Sequence, residues 1–145
     1  MIRSWNVINP QFSPDGKEVA FIEDRNRLMV VNLDTKKVRQ VTDGSTWYTR
    51  SGGFDYSWSP DGKWFTLEFI GNKHDPYSDI GLVSADGKGQ IINLTNSGYT
   101  SGSPRWVMGG NAILFITERY GMRNHASWGS LNDEMSMLPQ SGCIR

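Results

Sequence analysis

The residues best suited to chemistry in this sequence are two histidines, His74 in GNKHDPYSD and His125 in GMRNHASWG, set among plentiful serines and aspartates. A Ser-His-Asp triad is defined by geometry and not by composition, and the sequence holds no GxSxG nucleophile elbow. His74, Asp75 and Asp79 offer the imidazole and carboxylate donors that zinc or calcium takes. Their spacing follows no metal-site pattern, and Asp75 precedes Pro76, as turn-forming residues do. The sequence therefore assigns no catalytic residue, no metal and no cofactor. Two other segments carry the side chains enriched at recognition surfaces. One is 45–53, STWYTRSGG, with Trp47, Tyr48 and Arg50; the other is 119–131, with Arg119, Tyr120, Arg123, His125 and Trp128. These side chains contact a peptide or protein, accept a small molecule or sugar, or fill gaps between packed elements. Composition leaves all three open. The connections 71–78 and 119–131 also exceed the two to five residues of an ordinary hairpin, and long loops on a rigid scaffold are where binding concentrates.

The elements that position these segments come from an internal repeat. Residues 9–17 read NPQFSPDGK and residues 55–63 read DYSWSPDGK, about 46 residues apart. A weaker copy, SPRWVMGGN, lies at 103–111 and has lost the Pro-Asp pair; it aligns Phe12 with Trp58 and Trp106, and Gly16 with Gly62 and Gly110. In the turn, Pro14 and Pro60 preset φ, Asp15 and Asp61 tolerate the bridge geometry, and Gly16 and Gly62 supply a positive φ. After each motif comes a short apolar run: EVAFIE at 18–23, KWFTLEFI at 63–70 and NAILFITE at 111–118. These read as buried strands. RLMVVNL and DIGLVSA give second strands, and KVRQVTDG and GQIINLTNSG give closing strands.

One unit is thus a four-stranded antiparallel meander of about 45 residues, which is a propeller blade. The expected fold is all-β: about three blades, at 9–44, 54–98 and 103–138, with strand 2–8 belonging to a preceding or partner blade and little or no helix. The expected core includes Phe12, Val19, Phe21, Trp58, Phe65, Leu67, Trp106, Leu114 and Phe115. Propellers have four to eight blades, so three leave two apolar faces open. Either a second copy closes a six-bladed ring, as a homodimer, or the remainder of a larger propeller does.

Composition narrows the partners. The 145 residues carry 15 Lys+Arg against 15 Asp+Glu, a formal net charge of zero. A nucleic-acid or anionic-membrane binder would show a basic excess. No apolar run approaches the roughly 18 residues that cross a bilayer. The single cysteine, Cys143, excludes an internal disulfide framework and a CxxC site. The N-terminus lacks the apolar stretch and cleavage site of a signal peptide.

The segments PQFSPDGKEVAFIE and YSWSPDGKWFTLEF resemble TolB/tricorn-type, WD-like propeller repeats, and TERYGMRNHASWGSLNDEMSM at 117–137 resembles a propeller segment of tricorn-like serine peptidases. In that family the propellers precede a separate peptidase core and filter, guide or dock peptides. The resemblance covers the propeller part only, so no family catalytic residue is carried over. It implies a non-catalytic module that binds peptide or protein, or the substrate-gating portion of such a peptidase. It also implies an extracytoplasmic, periplasmic location.

Overall fold

The structure is a computed structural model; it describes residues 6–47, 52–71 and 77–118, and residues 124–129 as a strand. Three antiparallel sheets follow one another along the chain. The first, blade 1, runs β1 (Val7–Phe12), β2 (Glu18–Glu23), β3 (Arg27–Asn32) and β4 (Val38–Gln40) in simple meander order. Blade 2 repeats it with β5 (Tyr56–Trp58), β6 (Trp64–Phe69), β7 (Asp79–Ser84) and β8 (Ile92–Asn93). Among the described residues blade 3 has three strands, β9 (Ser101–Val107), β10 (Ala112–Thr117) and β11 (Asn124–Gly129). One 3-10 turn, Met108–Gly110, is the helical content of the described chain.

Two sequence expectations change. Val7 and Ile8 are no separate strand: they open β1, opposite Glu23 and Ile22, and a bulge at Asn9-Pro10 bends the strand before Gln11 resumes pairing with Ala20. Residues 1–5 lie outside the described chain. The connection 119–131 is not a single long loop either. Asn124–Gly129 pairs with β10 residue for residue, from Ala112 opposite Gly129 to Thr117 opposite Asn124. The edge of β10 away from β9 needs a ladder partner, and this segment supplies it.

The SPDGK turn is held by more than backbone preference. Asp15 Oδ1 accepts from the Ser13 hydroxyl (2.6 Å) and the Lys17 amide (3.1 Å), while Ser13 Oγ accepts from Glu18 N (3.0 Å). Asp61, Ser59, Lys63 and Trp64 repeat the network at 2.6, 3.0 and 2.9 Å. The serine hydroxyl first, then the lysine amide, holds each aspartate below the usual carboxylate range. The same chemistry recurs off the main repeat in Ser84-Ala85-Asp86-Gly87-Lys88, between β7 and β8.

Strand alternation sends residues to opposite faces of each blade. Phe65, Leu67 and Phe69 of β6 join Ala20, Ile22, Leu28 and Val30 of blade 1 in one core, with Phe54, Tyr56 and Trp58. Ile80 and Leu82 meet Ile113 and Phe115 of blade 3 in a second, flanked by Trp64 and Trp106. Blade 2 is therefore covered on both faces by its neighbours, and Phe21, on the face of β2 turned away from Ala20 and Ile22, is buried as well. Two expected core residues are overturned. Phe12 is 68% exposed, whereas its repeat equivalent Trp58 is 8% exposed, and Leu114 is exposed as well. Phe12 and Leu114 sit on the outward faces of blades 1 and 3.

Candidate functional site

The blades align edge to edge. At what we term the upper edge lie the turns between first and second, and third and fourth, strands. Arg39, the middle residue of β4, joins blades there: its Nε donates to Ala85 O (2.8 Å) and its two terminal nitrogens to the Glu18 carboxylate (2.5 and 2.7 Å). This is a fork-to-fork pair of the strong, geometrically fixed kind. Pro14 of one SPDGK turn lies beside Gly62 of the next, and Pro60 beside Gly110.

At the opposite, lower edge β4, β6, β8 and β10 end, and from it the chain continues to β5, β7, β9 and β11. Both segments singled out for their aromatic and arginine content start from this edge. Trp47 is half-buried. Its ring lies 5.7 Å from that of Phe54 at 60°, packed on the core between blades 1 and 2, and its indole N–H is buried without a partner among the described residues. Tyr48, Arg50, Arg119, Tyr120, Arg123, and also His74 and Asp75, lie outside the described residues. His125 and Trp128 fall in β11, opposite Ile116 and Ile113. Asp79, considered above as a ligand, accepts instead from Thr95 Oγ1 (2.6 Å) and Asn93 Nδ2 (2.9 Å), closing the loop after β8. Among the described residues no group of three His, Cys, Asp or Glu is placed to hold a metal.

A polar joint that the sequence reading missed lies between blades 2 and 3 at this edge. Glu68, near the end of β6, accepts from Ser103 N with Oε1 (2.6 Å) and from Asp55 N with Oε2 (3.1 Å). Ser103 Oγ donates to Asp55 Oδ2 (3.1 Å), and Arg105 lies 3.7 Å from the same oxygen. Ser103 takes φ +52° before Pro104, in the same place as Asn9 before Pro10, and the bulge turns its N–H onto the carboxylate. A lone glutamate inside the apolar run WFTLEFI was the available signal, since charges in buried strands are almost always partnered.

Burial raises the Glu68 carboxyl above its ordinary 4.5, against the lowering effect of the Asp55 and Ser103 amides. A carboxyl raised by folding stabilises the fold in its protonated form, in full below the unfolded value and progressively less as pH rises through the folded one. Glu68→Gln cannot ionise. Its stability relative to wild type should therefore improve as pH climbs from about 4 to 8. Thermal melts of both proteins across that range test this, and parallel curves would refute it.

No family model matches the chain. Over 108 residues it is 28% identical to a putative tricorn-like protease C-terminal subunit of Sulfurisphaera tokodaii, a match spanning 74% of this chain and 12% of that protein. TolB from Acinetobacter baumannii superposes with a TM-score of 0.69 at 22% identity, covering 95% of this chain and 33% of TolB. The tricorn protease gives 0.62 at 18% identity over 84% of this chain and 13% of its own. The β-propeller domain of the trilobed protease from Pyrococcus furiosus gives 0.59 at 14% identity over 93% and 43%. The fold is thus a β-propeller of the TolB/tricorn type. The chain spans only a small part of the curated relative and a third of TolB.

Proposed function

We propose that the chain is a non-catalytic propeller module that binds a peptide or protein at its lower edge. The segregation of its connections carries this reading. The upper edge is built from turns at 13–17, 33–37, 59–63, 85–91 and 108–111, most locked by their own side chains, whereas the two longest connections, 41–55 and 70–78, start from the lower edge. A rigid stack with its longest connections on one side is the arrangement that binding scaffolds use. The residue types in 45–53 and 119–123, rich in Trp, Tyr and Arg, fit protein recognition. Likeness to the Sulfurisphaera protein favours a second reading, that the module gates substrate for a tricorn-like serine peptidase whose catalytic core lies outside this chain.

Labelled tryptic peptides of casein provide a mixed, unstructured probe. Their fluorescence anisotropy should rise on titration with the chain, and mass spectrometry should show no new fragments. Arg119→Ala combined with Arg123→Ala should weaken binding about tenfold. Peptide cleavage that disappears on replacing one serine or histidine would overturn the non-catalytic reading. Absent binding, or binding untouched by the double variant, would overturn the lower-edge assignment.

A further inference from the structure

The Ser-x-Asp-Gly-Lys device accounts for its serine, aspartate and glycine but for no lysine side chain. At 13–17, 59–63 and 84–88 alike, the serine hydroxyl and the lysine amide donate to one aspartate oxygen, and the glycine takes the positive φ. Each lysine contributes its amide alone. Lys17, Lys63 and Lys88 are exposed. Among the described residues none of their ammonium groups is hydrogen-bonded or ion-paired.

Two of these lysines are brought to one place. The Ala85 amide donates to Lys63 O (2.9 Å), which ties the β7–β8 turn to the β5–β6 turn. Ala85 O accepts from Arg39 Nε (2.8 Å), and Gly87 lies against Gln40 O, so both turns are fixed to blade 1. Here the upper edge holds a cleft of about 630 Å³, open to solvent, whose lining includes Arg39 of blade 1 and Lys63, Ala85, Asp86 and Lys88 of blade 2. That volume is within the range of ligand sites. The anionic groups around it are already engaged. Glu18 meets Arg39 with both oxygens, and Asp86 Oδ1 accepts from the Ser84 hydroxyl (2.8 Å) and the Lys88 amide (2.9 Å). Lys63 and Lys88 therefore keep their ammonium donors for an acceptor from outside, on a frame that needs no rearrangement to present them.

We propose that this upper-edge cleft binds an acidic peptide segment, whose side-chain carboxylates pair with Lys63 and Lys88. An open cleft suits a chain lying across it, where an enclosed cavity would suit a small molecule. The chain as a whole is balanced, 15 Lys+Arg against 15 Asp+Glu, so the attraction is local. A short run of carboxylates fits it, and a polyanion such as nucleic acid does not. The site stands on the edge opposite the one assigned to peptide above and does not depend on that reading.

Anisotropy of fluorescein-labelled hexaglutamate, titrated with the full chain, tests it. Binding is expected at about 25 mM salt and should weaken at about 300 mM, where charges are screened over a shorter range. Lys63→Glu combined with Lys88→Glu should weaken it at least about tenfold. Lys17→Glu combined with Lys37→Glu makes the same change in net charge outside the cleft and should alter it less than about twofold. All four lysines are exposed, so the melts of both variants should match wild type. Arg119→Ala combined with Arg123→Ala, which probes the lower edge, should leave this affinity unchanged. Absent binding at low salt overturns the proposal. So do equal losses in the two charge-reversed pairs, which would mark a general attraction, and so does a loss in the Arg119 and Arg123 variant alone, which would place the acidic peptide at the lower edge.

Discussion

Phe65→Ala is expected to destabilise the chain by about 3–5 kcal/mol, while Phe12→Ala, which removes the same number of atoms, changes the stability of the isolated chain by less than about 0.5 kcal/mol. Phe65 is 0% exposed in the core between blades 1 and 2. Its ring lies 4.1 Å from that of Trp58 and 5.8 Å from that of Tyr56, at tilted and edge-on angles. Truncation loses the transfer free energy of the ring and leaves a cavity that strands on both sides cannot close, because each is fixed in its ladder. Phe12 has no such surroundings in one chain. Urea unfolding of the two variants at a concentration where the chain is monomeric measures the contrast. Equal losses would mean that the Phe12 ring is packed within the chain.

The same contrast shows what could be read from the residues alone. The SPDGK turns, the apolar runs behind them and their spacing gave the blade, because Ser-x-Asp-Gly-Lys is a local device: its hydrogen bonds close within five residues, as Ser59, Asp61 and Lys63 show. A third instance at 84–88 was equally legible. Strands β2 and β3 follow from composition for the same reason. Coverage of a face was not legible for Phe12 and Leu114, since it depends on a blade's place in the row and not on its own sequence. β11 was missed because Asn124–Gly129 has little strand propensity and takes its ladder from β10, which tertiary context alone supplies. Trp47, singled out on residue type, packs on Phe54 at the core between blades 1 and 2. Glu68 and Arg39 were overlooked because their partners, Ser103 and Ala85, are 35 and 46 residues away in sequence.

Gly87→Ala should loosen the joint between blades 1 and 2 at a cost of about 2–4 kcal/mol, large for the addition of one methyl group. Two penalties combine at this residue. Its φ is +76°, in the left-handed region where a side chain is strained. A Cβ there would also overlap the carbonyl oxygen of Gln40, at the end of β4 in the neighbouring blade. A carbonyl fixed beside a strand end cannot rotate away as a flexible side chain would, so the β7–β8 turn must lift. Lifting it draws Ala85 O from Arg39 Nε and leaves the guanidinium held by Glu18 alone. Gly16 provides the control, with nearly the same φ of +71° and nothing within 4 Å of the added methyl. Gly16→Ala should therefore show the backbone penalty alone, about 1–2 kcal/mol. The excess of the Gly87 variant over the Gly16 variant measures how closely the two blades approach. It should shrink when Arg39→Ala is added, because the contact that the lifted turn breaks is then already absent. Equal losses at the two glycines would show that the blades stand further apart than the Gly87–Gln40 approach requires.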